Sequence, residues 1–108
     1  MAGYLLIASR DPFESVEIQS FFGLAQSLSR NNEAVTVLLI QNGVFPARAG
    51  EGARWIDELV RAGVEVLADE FSLRERGIPA SRLAKGVTPV SLDVAIDHLA
   101  QGRKALWH

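Results

Sequence analysis

The sequence predicts an α/β fold: a three-layer sandwich around a mostly parallel sheet of four or five strands. Three observations lead there. Short aliphatic or β-branched runs alternate with stretches of helical periodicity. The first run is continuously apolar, as a strand covered on both faces is, and the second is β-branched and bounded by Asn-rich turns. The junctions carry capping residues on one side and closing glycines on the other. With 108 residues, 48% of them hydrophobic and 22% charged, the chain has material for one core over 1–108 and not for two. It contains no repeat, no low-complexity stretch and no linker.

Tyr4 to Ser9 is the first strand, a continuous apolar run that ends in a polar turn. A helix over roughly residues 13–30 follows. Asp11 is its expected cap, Pro12 suits the first helical position, and Glu14 completes a capping box. Ile18, Phe21, Phe22, Ala25 and Leu28 form its inward stripe, and Asn31-Asn32 ends it. Ala34 to Ile40 is the clearest strand. Gln41 to Gly50 reads as a ten-residue loop with an Asn42-Gly43 turn and Pro46 inside it. A second helix carries Trp55, Ile56, Leu59 and Val60 and stops at Ala62-Gly63, and Val64 to Ala68 is a third strand. Ser72 to Glu75 is a further capping box opening a one-turn helix, and Pro79 to Lys85 reads as a short helical piece closed by Gly86. Ser91 is the expected cap of a last helix with Leu92, Ala95, Ile96 and Leu99 inward; Gly102 ends it, and Lys104 to Trp107 is a final strand.

Composition excludes several classes. Eleven Lys and Arg against thirteen Asp and Glu leave a net charge of −2, so nucleic acid is not expected as the main partner. No apolar run approaches the ~18 residues that span a bilayer, and the start resembles no signal peptide, so a cytoplasmic domain without membrane contact is expected. There is no cysteine, which removes disulfides, zinc thiolates, iron–sulfur clusters and thiol nucleophiles from this chain.

In an open parallel sheet, ligands bind outside the carboxyl ends of the strands. The candidate pocket residues are therefore Ser9 and Arg10 after the first strand, Asn42 and Gly43 after the second, and Asp69, Glu70 and Phe71 after the third. No G-x-G-x-x-G or Walker A sequence accompanies them, no G-x-S-x-G surrounds a serine, and neither cofactor nor metal is called for. Asp69 and Glu70 would pair as acid and base only if the chain turned between them; a solvated loop or a cap is the better account. His98, beside Asp97 and off the apolar stripe, is expected to face solvent, and His108 is the chain end. Arginine outnumbers lysine nine to two. Arg48 and Arg54 flank the long loop and Arg74 and Arg76 flank Glu75, which suits an anion pocket or, by preference, ion pairs across a subunit contact. Phe13, Phe45, Trp55, Phe71 and Trp107 are more aromatics near loops and helix starts than a small core requires, and some are expected in an oligomer interface.

The stretch Gly63-Val64-Glu65-Val66-Leu67-Ala68-Asp69-Glu70-Phe71-Ser72-Leu73-Arg74-Glu75-Arg76-Gly77-Ile78 resembles the DsrE/DsrF/DsrH (TusD/TusC/TusB) sulfur-relay superfamily. There, a Gly-Val-x-Val strand leads through a short loop into an Arg-Gly-Ile turn. Leu83 to Val87 continues the pattern, Leu39 to Val44 is similar to the family's second-strand exit, and Pro12-Phe13-Glu14 and Trp107 resemble the DsrH/TusB branch. The resemblance implies a small α/β fold, assembly as homotrimers, homohexamers or mixed oligomers with related subunits, and work in relaying persulfide sulfur. In the sulfur-carrying branch a cysteine stands in the loop after the third strand; the resemblance places Asp69 there, within one position. A carboxylate cannot carry a persulfide. Cysteine-based sulfurtransferase activity is thus excluded for this chain alone. The expectation is a non-catalytic oligomeric scaffold or partner subunit, with a small-molecule site using Asp, Glu and Arg at the sheet edge as the alternative.

Overall fold

The structure, a computed structural model, describes residues 3–50 and 52–108. Met1, Ala2 and Glu51, part of the expected domain 1–108, lie outside the described residues. Five parallel strands form one sheet: β1 (Tyr4–Ala8), β2 (Val35–Leu39), β3 (Glu65–Asp69), β4 (Val87–Val90) and β5 (Lys104–Trp107), in the spatial order β4-β3-β2-β1-β5. The helices are α1 (Val16–Arg30), α2 (Ala53–Arg61), α3 (Glu70–Glu75) and α4 (Asp93–Ala100). This is the three-layer α/β sandwich expected, with an all-parallel sheet of five strands.

Strand order explains the layers. The chain steps from β1 to β4 in one direction and then returns past β1 to add β5. Right-handed crossovers taken in opposite directions lie on opposite faces of a sheet. Accordingly α1 and α2 pack Ile18, Phe21, Phe22, Ala25, Ile56 and Leu59 onto one face, and Val94 and Ala95 of α4 meet Leu5, Leu38, Ile40 and Leu67 on the other. β2, at the centre, is buried along all five residues. Each fully buried Leu, Ile or Phe contributes about 1.5–3 kcal/mol, and most of that burial lies on the α1–α2 side.

Several local expectations are corrected. Helix α1 starts at Val16 with Ser15 as its cap, whose hydroxyl accepts from the Ile18 amide at 3.3 Å. Asp11 instead closes the preceding turn: its carboxylate accepts from the Phe13 amide, and its carbonyl accepts from the amides of Glu14 and Ser15. The expected 41–50 loop contains a 3₁₀ stretch, Gln41–Ala47, with Pro46 inside it. Gly43 lies so close under β1 that a Cβ there would overlap the Ala8 carbonyl. Helix α3 begins at Glu70, capped by Asp69 rather than opened by Ser72, and the piece after Pro79 is a single 3₁₀ turn, Ala80–Arg82.

Strand β4 has no counterpart in the sequence reading because Pro89 sits inside it. As an edge strand it pairs with β3 alone, so a residue without an N–H is tolerated. Helix α4 starts after Leu92, with no side-chain cap from Ser91. Its orientation differs as well. Leu92, Ile96 and Leu99 are exposed, Val94 and Ala95 lie against the sheet, and His98 is buried. Val94, Ala95 and His98 take the inner stripe, and the larger aliphatic stripe is left on the outside.

Candidate functional site

The carboxyl edge is organised around one buried hydrogen-bonded chain. Asp69, the last residue of β3, is 3% exposed, and its Oδ2 accepts from the Ser72 amide at 3.0 Å and the Ser72 hydroxyl at 2.6 Å. The Ser72 hydroxyl oxygen accepts in turn from the Gln41 amide at 2.8 Å. Gln41 adopts a left-handed backbone (φ 51°), uncommon for a residue with a Cβ, and this bond holds it there. The chain thus ties the exit of β2 to the exit of β3. Such linked bonds polarise one another and are costly to leave half made. Of the two readings preferred from the sequence, a solvated loop or a cap, Asp69 is the cap: it is buried, and its carboxylate is occupied by α3.

The seven pocket candidates fall into different places. Ser9, Arg10 and Asn42 line a hollow of about 290 Å³ with Asp11, Glu14 and Ser15. Asp69, Glu70 and Phe71 line another of about 240 Å³, with Arg74, Ser91 and Leu92. Gly43 is buried beneath the end of β1. The Ser9 hydroxyl donates to the His108 carbonyl at 2.9 Å and anchors the end of the chain. Asn42 Oδ1 accepts from Arg76 Nε at 3.1 Å, and Arg76 also donates to the Ser72 carbonyl. Glu70 points outward while Asp69 points inward, so the two carboxylates do not converge. Phe71 is exposed.

His98 is the buried histidine that the sequence reading places in solvent. It sits over the amino ends of the strands, where Arg103 donates to Thr36 Oγ1 at 2.9 Å and Thr36 donates to Glu65 at 2.8 Å. Its Nδ1 has no hydrogen-bond partner among the described residues. Burial, reinforced by the Arg103 charge, holds its pKa below the ordinary 6.5 despite the opposing charges of Glu65 and Asp97. Nothing in the local sequence signals this, because the inner stripe of α4 is defined by the sheet beneath it.

One cleft escaped the sequence reading as a unit. Phe13, Phe45, Arg48, Ala49, Gly52 and Arg82 line about 340 Å³ on the α1–α2 side. Phe13, Phe45 and Arg48 are visible in sequence as unexplained aromatics and arginines, but Arg82, over 30 residues away, carries no signal that it joins them.

The chain is similar in structure to the YchN protein from E. coli, with a TM-score of 0.90 and 20% identity, each chain covered in full. It is also similar to MTH1491, a protein of unknown function from Methanobacterium thermoautotrophicum, with a TM-score of 0.83 and 20% identity over all of both chains. BT1422 from Bacteroides thetaiotaomicron gives 0.75 and 19% over 97% of this chain and 94% of that one. At such identities the likeness carries the fold alone. No curated protein matches the sequence. The model of the DsrE/DsrF-like family matches residues 2–107, nearly the whole chain, and the chain belongs to that family.

Proposed function

We propose that this chain is a subunit of a DsrE-like oligomer that carries no sulfur itself and serves as a scaffold or partner in cytoplasmic sulfur metabolism. One observation carries the reading: where the resemblance calls for the reactive cysteine, Asp69 is buried and spent on capping α3. There is no other thiol in the chain to substitute. The link to sulfur relay comes from the family, and among the described residues no helix is long and apolar enough to cross a membrane.

The oligomer part rests on α4. A helix apolar on both sides belongs in an interior. The inner stripe of α4 meets the sheet, whereas Leu92, Ile96 and Leu99 leave a second apolar stripe uncovered, with Ile96 65% exposed. Trp107 lies opposite Ile7 in the β1–β5 register and is 68% exposed. A second copy of the chain, or a related subunit, fits this surface.

Two measurements test the proposal. Incubation of the purified chain with a persulfide donor should leave its intact mass unchanged, and stable sulfur loading overturns the non-carrier role. Sedimentation at micromolar concentration should give a trimer or larger, which Ile96→Lys reduces; a monomer overturns the homo-oligomer. Copurification with a cysteine-bearing relative from the native source would identify a mixed assembly instead.

A further inference from the structure

We infer that the cleft between Phe13 and Phe45 is a binding site for a small aromatic oxyanion, a planar ring bearing a phosphate or carboxylate, gripped by Arg48 and Arg82. The two arginines are brought together by backbone. Arg48 forms an antiparallel bridge with Leu83, the Ala49 amide donates to the Arg82 carbonyl at 2.8 Å, and the Ala84 amide donates to the Ala47 carbonyl at 2.7 Å. This short ladder fixes the roots of both arginines at one mouth although 34 positions separate them in sequence. None of the described lining residues is acidic, and the chain as a whole is negative, so the paired cations are not a by-product of a basic surface.

The aromatic walls are held as firmly. Phe13 stands edge-on against Trp55, with ring centroids 4.8 Å apart at 89°, and is still 58% exposed. A Cβ at Gly52 would come within 3.1 Å of the Phe13 ring, so the glycine leaves that ring its position. The Arg48 guanidinium lies 5.2 Å from the Phe45 centroid, where the ring orients it without using all its donors. Guanidinium forks match a phosphate or carboxylate in a bidentate way, and the exposed Phe13 ring favours a flat apolar partner. A volume of about 340 Å³ suits a small ligand rather than a macromolecule.

The test uses the full chain and four probes at equal concentration: adenosine monophosphate, 4-hydroxybenzoate, adenosine and inorganic phosphate. At least one of the two ring-bearing anions should raise the thermal midpoint saturably, and should shift the backbone amide resonances of Ala49 and Gly52. Adenosine or phosphate alone should give less than half that rise. Arg82→Ala should weaken binding of the effective probe about tenfold, as expected for a lost charge-assisted bond, with Arg82→Lys intermediate. Arg82 is exposed, so an unchanged far-UV spectrum shows that both variants fold. The inference is overturned if neither ring-bearing anion shifts the midpoint, if phosphate alone matches them, or if Arg82→Ala binds as the unaltered chain does.

Discussion

Replacing Asp69 with Ala probes the hydrogen-bonded chain at the carboxyl edge most directly. The carboxylate caps α3, and losing an Asp cap costs about 1 kcal/mol. The same oxygen accepts the Ser72 hydroxyl in a buried site, and a buried hydroxyl donor without a partner costs about 1–2 kcal/mol more. The expected loss is therefore about 2–3 kcal/mol, enough to lower the thermal midpoint of a chain this size by roughly 10–20 °C. Asp69→Asn keeps an acceptor for the amide and should lose less than about 1 kcal/mol. Urea unfolding at a fixed protein concentration measures both, with unchanged slopes showing that the denatured state is the same. Ser72→Ala removes the same internal bond, so the Asp69→Ala/Ser72→Ala double variant should fall short of additivity by about 1 kcal/mol. An Asp69→Ala variant within about 0.5 kcal/mol of the unaltered chain refutes the structural role of the carboxylate. So does an Asp69→Asn variant as unstable as Asp69→Ala.

Three other outcomes follow from named contacts. Asp69→Cys puts a thiol into a site 3% exposed, so it should react with a soluble disulfide reagent far more slowly in the folded chain than in urea; equal rates would show the position open. Gly43→Ala should cost more than about 3 kcal/mol, because its Cβ meets the Ala8 carbonyl, whereas Gly23→Ala in α1 meets nothing and should gain about 0.5–1 kcal/mol; urea midpoints separate them. Burial, with the Arg103 charge, lowers the pKa of His98 in the folded state, so the unfolded chain binds a proton first as pH falls. Stability should be full above pH 6.5 for this group and decline from there toward the lowered folded pKa, and His98→Gln should flatten that segment of a stability–pH curve.

How much of the fold was legible depended on whether a residue's partners are near it in sequence. The buried strands were readable because β1 is a continuous apolar run and β2 a β-branched and aliphatic one, a property of each run itself. The glycines ending α2 and α4 were readable because Gly63 and Gly102 adopt positive φ, which a local turn requires. Strand β4 was not readable, because Pro89 argues against a strand unless the strand is known to be an edge. The start of α1 was misplaced because Asp11 and Ser15 both have capping chemistry. Geometry chooses Ser15 by spending Asp11 on the turn around Pro12.

The same distinction governs the site. A cap was one of the two local accounts of Asp69, beside a solvated loop, because its partner Ser72 stands three residues on, but the tie to Gln41 spans 31 residues and has no local signature. Helix α4 is the instructive failure. Its spacing shows one apolar stripe through Leu92, Ala95, Ile96 and Leu99, and a lone chain would bury it; the structure turns Ala95 to the sheet beside Val94 and the buried His98, and leaves Leu92, Ile96 and Leu99 exposed. Periodicity reports which face avoids water without saying whether a sheet or another chain covers it. If Ile96→Lys weakens assembly while leaving the monomer folded, the stripe was read correctly as apolar and only its cover was misassigned. If the substitution instead unfolds the chain at all concentrations, the stripe belongs to the core and the oligomer argument falls.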